Sequence, residues 1–127
     1  PDHRIYDPGD GRRPIDIEAV SLDDYFRGEA PVDFVKLDLQ GSEPGALAGM
    51  SSLLSRPRPA KLLMELWPAG IRAAGHEPAE IVALLDARGF RFHRITAEGA
   101  EPISPEKLLR ETPSEGINVF CLPAEER

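Results

Sequence analysis

The sequence predicts an α/β domain on three observations. Apolar runs of strand length occupy residues 32–39 and 60–66, segments of helical period lie between and after them, and Gly or Pro stands at the junctions. Strand, helix, strand, helix, strand is the rhythm of a sheet whose strands run parallel and are covered on both faces, and near-continuous apolar strands agree with that burial. A length of 127 residues allows one such domain and no second core.

Residues 1–14 hold Asp7, Pro8, Gly9, Asp10, Gly11 and Pro14, turn formers with too few apolar neighbours for a core-facing element, and read as loop. Over 15–20, Ile15 and Ile17 alternate with Asp16 and Glu18, the period of a half-buried strand. Ser21 can accept from the orphan amides of a short helix, Asp23 and Asp24 complement its positive end, and Gly28 can stop it. The run at 32–39, set between Pro31 and Gly41, reads as a buried strand. Ser42 then caps a helix with Pro44 in its first turn, and Ala46, Leu47, Met50, Leu53 and Leu54 recur at helical spacing until Pro57 and Pro59 end it.

Residues 60–66 form a second apolar strand, closed by Trp67 and Pro68. Over 78–88 Ile81, Leu84 and Leu85 share one helical face, and Gly89 is placed to end that helix in the left-handed conformation. Residues 90–95 alternate Phe90, Phe92 and Arg94 against Arg91, His93 and Ile95, a less hydrophobic strand nearer an edge. A short capped helix at 104–110, a final strand at 117–122 and a frayed charged tail at 125–127 complete the chain.

Composition narrows the function. Acidic residues outnumber basic ones 22 to 15, giving a net charge of -7, so the long-range field repels nucleic acid and anionic lipid. No apolar run approaches the roughly 20 residues of a membrane-spanning helix. Neither nucleic acid nor a membrane is therefore an expected partner. The single cysteine, Cys121, can form no intrachain disulfide and no Cys-based zinc site, and it suits a reducing cytoplasm, the expected location. The chain opens on Pro1 without the pattern of a signal peptide, and it reads as a fragment.

Ligands of open α/β sheets bind beyond the carboxyl ends of the strands. Two places qualify. Asp38 ends one strand, Gly41 permits a tight turn after it and Glu43 opens the next helix; Glu65 and Trp67 end the other. Acids on neighbouring strand ends would face one cleft, where like charge and desolvation raise at least one pKa and create a general base. The structural alternative is that Asp38 and Glu65 cap amides or pair with Lys36 and Arg72. Lys36 and Asp38 leave the same face of an extended strand, and an ion pair with a nearby acid is the favoured role of that lysine. Gly9 and Gly11 follow no strand and open no helix, so they make no dinucleotide fingerprint. His76 and His93 lack the paired spacing of metal ligands and read as solvated or core-satisfied, and no nucleophile elbow or phosphate-cradling loop is present.

Three segments taken in order carry a resemblance. Val-Ser-Leu-Asp-Asp-Tyr-Phe at 20–26, Lys-Leu-Asp-Leu-Gln-Gly-Ser-Glu at 36–43 and Leu-Leu-Met-Glu-Leu-Trp at 62–67 resemble the C-terminal half of the FkbM family of S-adenosylmethionine-dependent methyltransferases. The central segment is the most specific, because that family typically reads Lys-x-Asp-x-Glu-Gly-x-Glu there. Gln40 departs from it where an acid is commoner. The resemblance runs from about Arg4 onward, while the family's glycine-rich first loop and second-strand acid, which grip the cofactor, have no counterpart in the chain.

The resemblance implies a Rossmann-like class I methyltransferase fold of strand order 3-2-1-4-5-7-6, with the last strand antiparallel. Residues 33–38, 60–66, 90–95 and 117–122 would then be strands four, five, six and seven, so residues 1–127 form a single partial domain, a half-sheet 4-5-7-6. It further implies Asp38 and Gln40 at S-adenosylmethionine, Glu43, Glu65 and Trp67 at a small-molecule hydroxyl acceptor such as a sugar or natural product, and Asp38 and Glu65 in catalysis. A non-catalytic α/β interaction module derived from the same fold is the alternative. Since strand four would lack its family neighbour, residues 33–38 should form an edge that stands open, is covered by residues 15–20, or associates with another chain.

Overall fold

The computed structural model describes residues 3–27 and 31–124. The expected stop at Gly28 and the tail at 125–127 lie outside those residues. Five strands form one sheet: β1 (Phe34–Leu37), β2 (Lys61–Leu66), β3 (Phe90–Thr96), β4 (Gly99–Ile103) and β5 (Ile117–Pro123). Their spatial order is β1-β2-β5-β3-β4. The four strands to which the resemblance gave family positions therefore lie in the order 4-5-7-6. β5 runs antiparallel to both β2 and β3, as the last strand should. A mixed α/β sheet with flanking helices, a partial methyltransferase-like fold, is thus the architecture.

One core lies between the sheet and the helices. Along β2 burial alternates, with Leu62, Met64 and Leu66 buried and Leu63 and Glu65 half-buried. In register with the buried row are Val119 and Cys121 of β5, and Phe92 of β3 sits opposite Cys121. Onto this row pack Leu47 of α2 (Glu43–Ala48), Leu53 and Leu54 of α3 (Ser51–Leu54), Ile71 of α4 (Pro68–Ala73), Leu85 of α5 (Pro78–Asp86) and Leu108 of α6 (Pro105–Glu111). Each such side chain, fully buried, contributes roughly 1.5–3 kcal/mol. Burial also pushes the Cys121 thiol up to about 12, so it is a core group and not a nucleophile.

The structure departs from the expected double coverage. Only the β1–β2 pairing is parallel, and the second face of the sheet, with Phe34, Lys36, Leu63, Glu65, Asn118, Phe120 and Ile95, contains no buried residue. Crossover helices cover one face only, because both links from β1 to β2 and from β2 to β3 return on the same side. β1 is also the outermost strand, and its outer edge has no partner among the described residues. Phe34 is 50% exposed there.

Residues 15–20 form no strand and do not cover that edge. Ile15 and Ile17 are 81% and 70% exposed, since alternation alone supplies no partner strand to satisfy the backbone. The single helix expected after Ser42 is two, α2 and α3, separated at Gly49 and Met50. Ser42 makes no side-chain cap, being in a near-helical conformation itself. α3 is capped from a distance instead: Asp23, within α1 (Leu22–Tyr25), accepts from the amides of Ser52 and Leu53 at 2.9 and 3.0 Å. Ser21 and Ser104 do cap α1 and α6, accepting from Asp24 and Lys107 at 3.1 and 3.2 Å. α5 ends at Asp86, and Gly89 takes φ +78 in the turn that follows it.

Two elements were not anticipated. α4 follows directly from Trp67, with Pro68 in its first turn. β4 forms a hairpin with β3 across Ala97 and Glu98, which leaves β3 one place in from the edge. Pro102 is tolerated because β4 is itself an edge strand.

Candidate functional site

β1 and β2 point the same way, so their carboxyl ends meet. Beyond β1 the chain turns sharply through Gln40 (φ +54) and Gly41 (φ +100). The Leu39 amide donates to Glu43 Oε1 at 2.9 Å, and the Ser42 amide to the Leu39 carbonyl at 3.2 Å, which closes the turn onto the start of α2. Gly41 abuts α4: a Cβ there would stand 2.3 Å from the Gly70 carbonyl oxygen. Gly70 in turn makes room for the Trp67 ring, where a Cβ would lie 2.0 Å from the indole. Two missing side chains thus lock the two strand ends together.

The expected acids do converge. Asp38, Glu65 and Lys36, with Leu63, Ile95 and Asn118, line a cleft of about 360 Å³ on the uncovered face of the sheet. Lys36 Nζ lies 3.9 Å from Asp38 Oδ2, the ion pair its spacing suggested. Gln40 donates its side-chain amide to Asp38 Oδ1 at 3.0 Å. Glu65 has neither a hydrogen bond nor an ion pair among the described residues, and Arg72, offered as its structural partner, pairs with Glu77 at 2.9 Å instead. Burial, and then the charges of Asp38 and Glu43, push the Glu65 carboxyl above the ordinary range.

Glu43 is wholly buried. One of its oxygens holds the Leu39 amide and the other, Oε2, has no partner among the described residues; the Ser42 hydroxyl beside it is likewise unpartnered. Trp67 is half-buried, with the Arg4 guanidinium 5.5 Å from its ring centroid. The same guanidinium lies 5.7 Å from the Tyr6 ring, and the Tyr6 hydroxyl donates to the Gln40 carbonyl at 3.0 Å. Arg4, Tyr6 and Asn118 were not anticipated at the site. The first two come from a turn-rich stretch without periodicity, and nothing local marks them.

The histidines stay apart from the cleft's acids. His76 contacts Glu80 at 2.9 Å on α5. His93 differs from the sequence reading: its Nδ1 is buried and has no partner among the described residues, because Phe120 and Pro102, its neighbours across the sheet, offer no side-chain acceptor. Among the described residues no group of three or more His, Cys, Asp or Glu could hold a metal ion, and no helix is long and apolar enough to cross a membrane.

A sheet ordered in this way, with carboxylates gathered at the ends of its two parallel strands, defines a methyltransferase-type α/β domain. The family described as Methyltransferase FkbM domain matches residues 2–92, and the chain belongs to that family. The matched span takes in both strand ends and stops inside β3, whereas the motif resemblance was read on to the final strand. No curated protein and no solved structure matches the chain.

Proposed function

We propose that the chain supplies the acceptor side of an S-adenosylmethionine-dependent O-methyltransferase acting on a hydroxyl of a sugar or natural product in the cytoplasm. The observation that carries this reading is Glu65, an unpaired carboxyl at the end of β2 that lines one cleft with Asp38 and that burial first, and then the charges of Asp38 and Glu43, push upward. The acids suit S-adenosylmethionine, whose sulfonium and ammonium groups are both cationic. When bound, the cofactor supplies an electrophilic methyl group. Asp38, steadied by Gln40, would attract positive charge at the reacting centre. Glu65 would accept the acceptor's hydroxyl proton as the oxygen–methyl bond forms, an effect worth on the order of 10²- to 10⁴-fold. Glu43, expected at the acceptor, is wholly buried and would instead hold the turn after Asp38, which leaves Trp67 on the acceptor side.

The glycine-rich loop and ribose-binding acid of the family are not among the 127 residues. The isolated chain is therefore expected to bind S-adenosylmethionine weakly or not at all in calorimetric titration, and a low-micromolar dissociation constant would overturn that part of the proposal. In an enzyme that supplies those parts, Asp38→Asn should lower turnover ten-fold or more, about 1.4 kcal/mol of transition-state stabilisation. Glu65→Gln should act more on acceptor affinity than on cofactor affinity. Unchanged turnover in both variants would favour the non-catalytic interaction module.

A further inference from the structure

Two hydrogen bonds in series join the N-terminal segment to the cleft. The Tyr6 hydroxyl donates to the Gln40 carbonyl at 3.0 Å across 34 positions of sequence, and the Gln40 amide group donates to Asp38 Oδ1, also at 3.0 Å. Gln40 is the only non-glycine residue with positive φ among those described. A side chain in that region costs on the order of 1–3 kcal/mol and persists only where its surroundings hold it. Tyr6 holds the carbonyl of that very residue. Its own ring is kept in place by the Arg4 guanidinium, which also lies over Trp67 at the end of β2.

We propose that Tyr6 is a positioning residue for the candidate active site: through Gln40 it fixes the Asp38 carboxylate beside Glu65. The assignment rests on the reading of Asp38 and Glu65 given above, yet its geometry is independent of any reaction. Gln40 stands where the family pattern carries an acid, and an acid would repel Asp38. An amide can instead donate to it, provided the backbone keeps the amide in reach. Tyr6 supplies that provision, which explains how a glutamine serves at this turn.

The consequence is measurable without cofactor. Around the cleft Glu65 faces the charges of Asp38 and Lys36 from β1 and of Glu43 from α2, while Asn118 of β5 and Ile95 of β3 carry none. If Asp38 is released it will spend time farther from Glu65, and the repulsion between them will fall.

The test is a carboxyl ¹³C NMR titration of Glu65 in the full 127-residue chain, in its wild-type, Tyr6→Phe, Gln40→Asn and doubly substituted forms. Phe keeps the ring under Arg4, and Asn tolerates positive φ while shortening the amide's reach. Each single change should lower the Glu65 midpoint, because like charges that move apart repel each other less. The double variant should shift no more than the larger single one, since the two bonds act in series. An unchanged midpoint in Tyr6→Phe, or a double shift equal to the sum, would overturn the proposal. Methyl transfer is assayed separately in an enzyme supplying the cofactor loops. A normal titration response without any methyl transfer would remove the catalytic reading and leave the positioning of Asp38 by Tyr6 intact.

Discussion

Gly41 and Gly70 meet backbone to backbone, with the space for a Cβ at Gly41 filled by the Gly70 carbonyl oxygen at 2.3 Å. Gly41 lies in the turn after β1 and Gly70 in α4 after β2, so their contact brings the two segments that follow the parallel strands together. Gly41 also has φ +100, where an L side chain is strained. The turn and the close approach therefore require glycine for two separate reasons.

Gly41→Ala should destabilise the chain by at least about 2 kcal/mol, from backbone strain together with displacement of α4. A thermal melt should show a midpoint lower by roughly 8 °C or more. A midpoint equal to that of the wild type would mean that the two turns can part without cost.

Asp23 joins α1 to α3 by accepting from the amides of Ser52 and Leu53. Burial raises its carboxyl, but those two amides, together with the Ser52 hydroxyl and the Arg56 charge, outweigh it and hold the group below its ordinary value of 3.8. A depressed folded pKa gives stability that is present above the unfolded value and is lost as pH falls through the folded one. Asp23→Ala should cost about 1 kcal/mol at neutral pH. In denaturant titrations the deficit should shrink as pH drops below about 4, and a deficit that stays constant with pH would contradict the capping role.

Glu65 carries the opposite sign. Its folded pKa is raised above 4.5, so its favourable contribution is present below that value and disappears as pH rises through the raised one. Glu65→Gln should therefore stabilise the chain at neutral pH and lose that advantage in acid. Melting curves of the two proteins from acid to neutral pH should converge at the low end. Parallel curves would mean that Glu65 is not electrostatically loaded.

Among the described residues nothing pairs with the outer edge of β1, and Phe34 there is half exposed, its ring centroid 6.2 Å from that of Phe120. We propose that the isolated chain self-associates through this strand, because a bare edge recruits other strands and Lys36 blunts it only in part. Light scattering over a concentration series should show association that Phe34→Lys reduces. A chain that stays strictly monomeric and highly stable would remove this proposal.

What was legible in the sequence was local chemistry. The periods of β1, β2, β3, β5 and α5, the serine caps at Ser21 and Ser104, and the left-handed Gly89 each depend on neighbours a few residues away. The two acids were legible too, since strand-end position and residue type can both be read along the chain. The tertiary structure alone decided which amides Asp23 would cap, why Gly41 must lack a side chain, and that Tyr6 would reach Gln40 from 34 positions away. It also decided that residues 15–20 would stay unpaired despite their alternation, because a strand exists only where another supplies its hydrogen bonds. Contacts between distant segments depend on the folded path of the chain, and no local period encodes them.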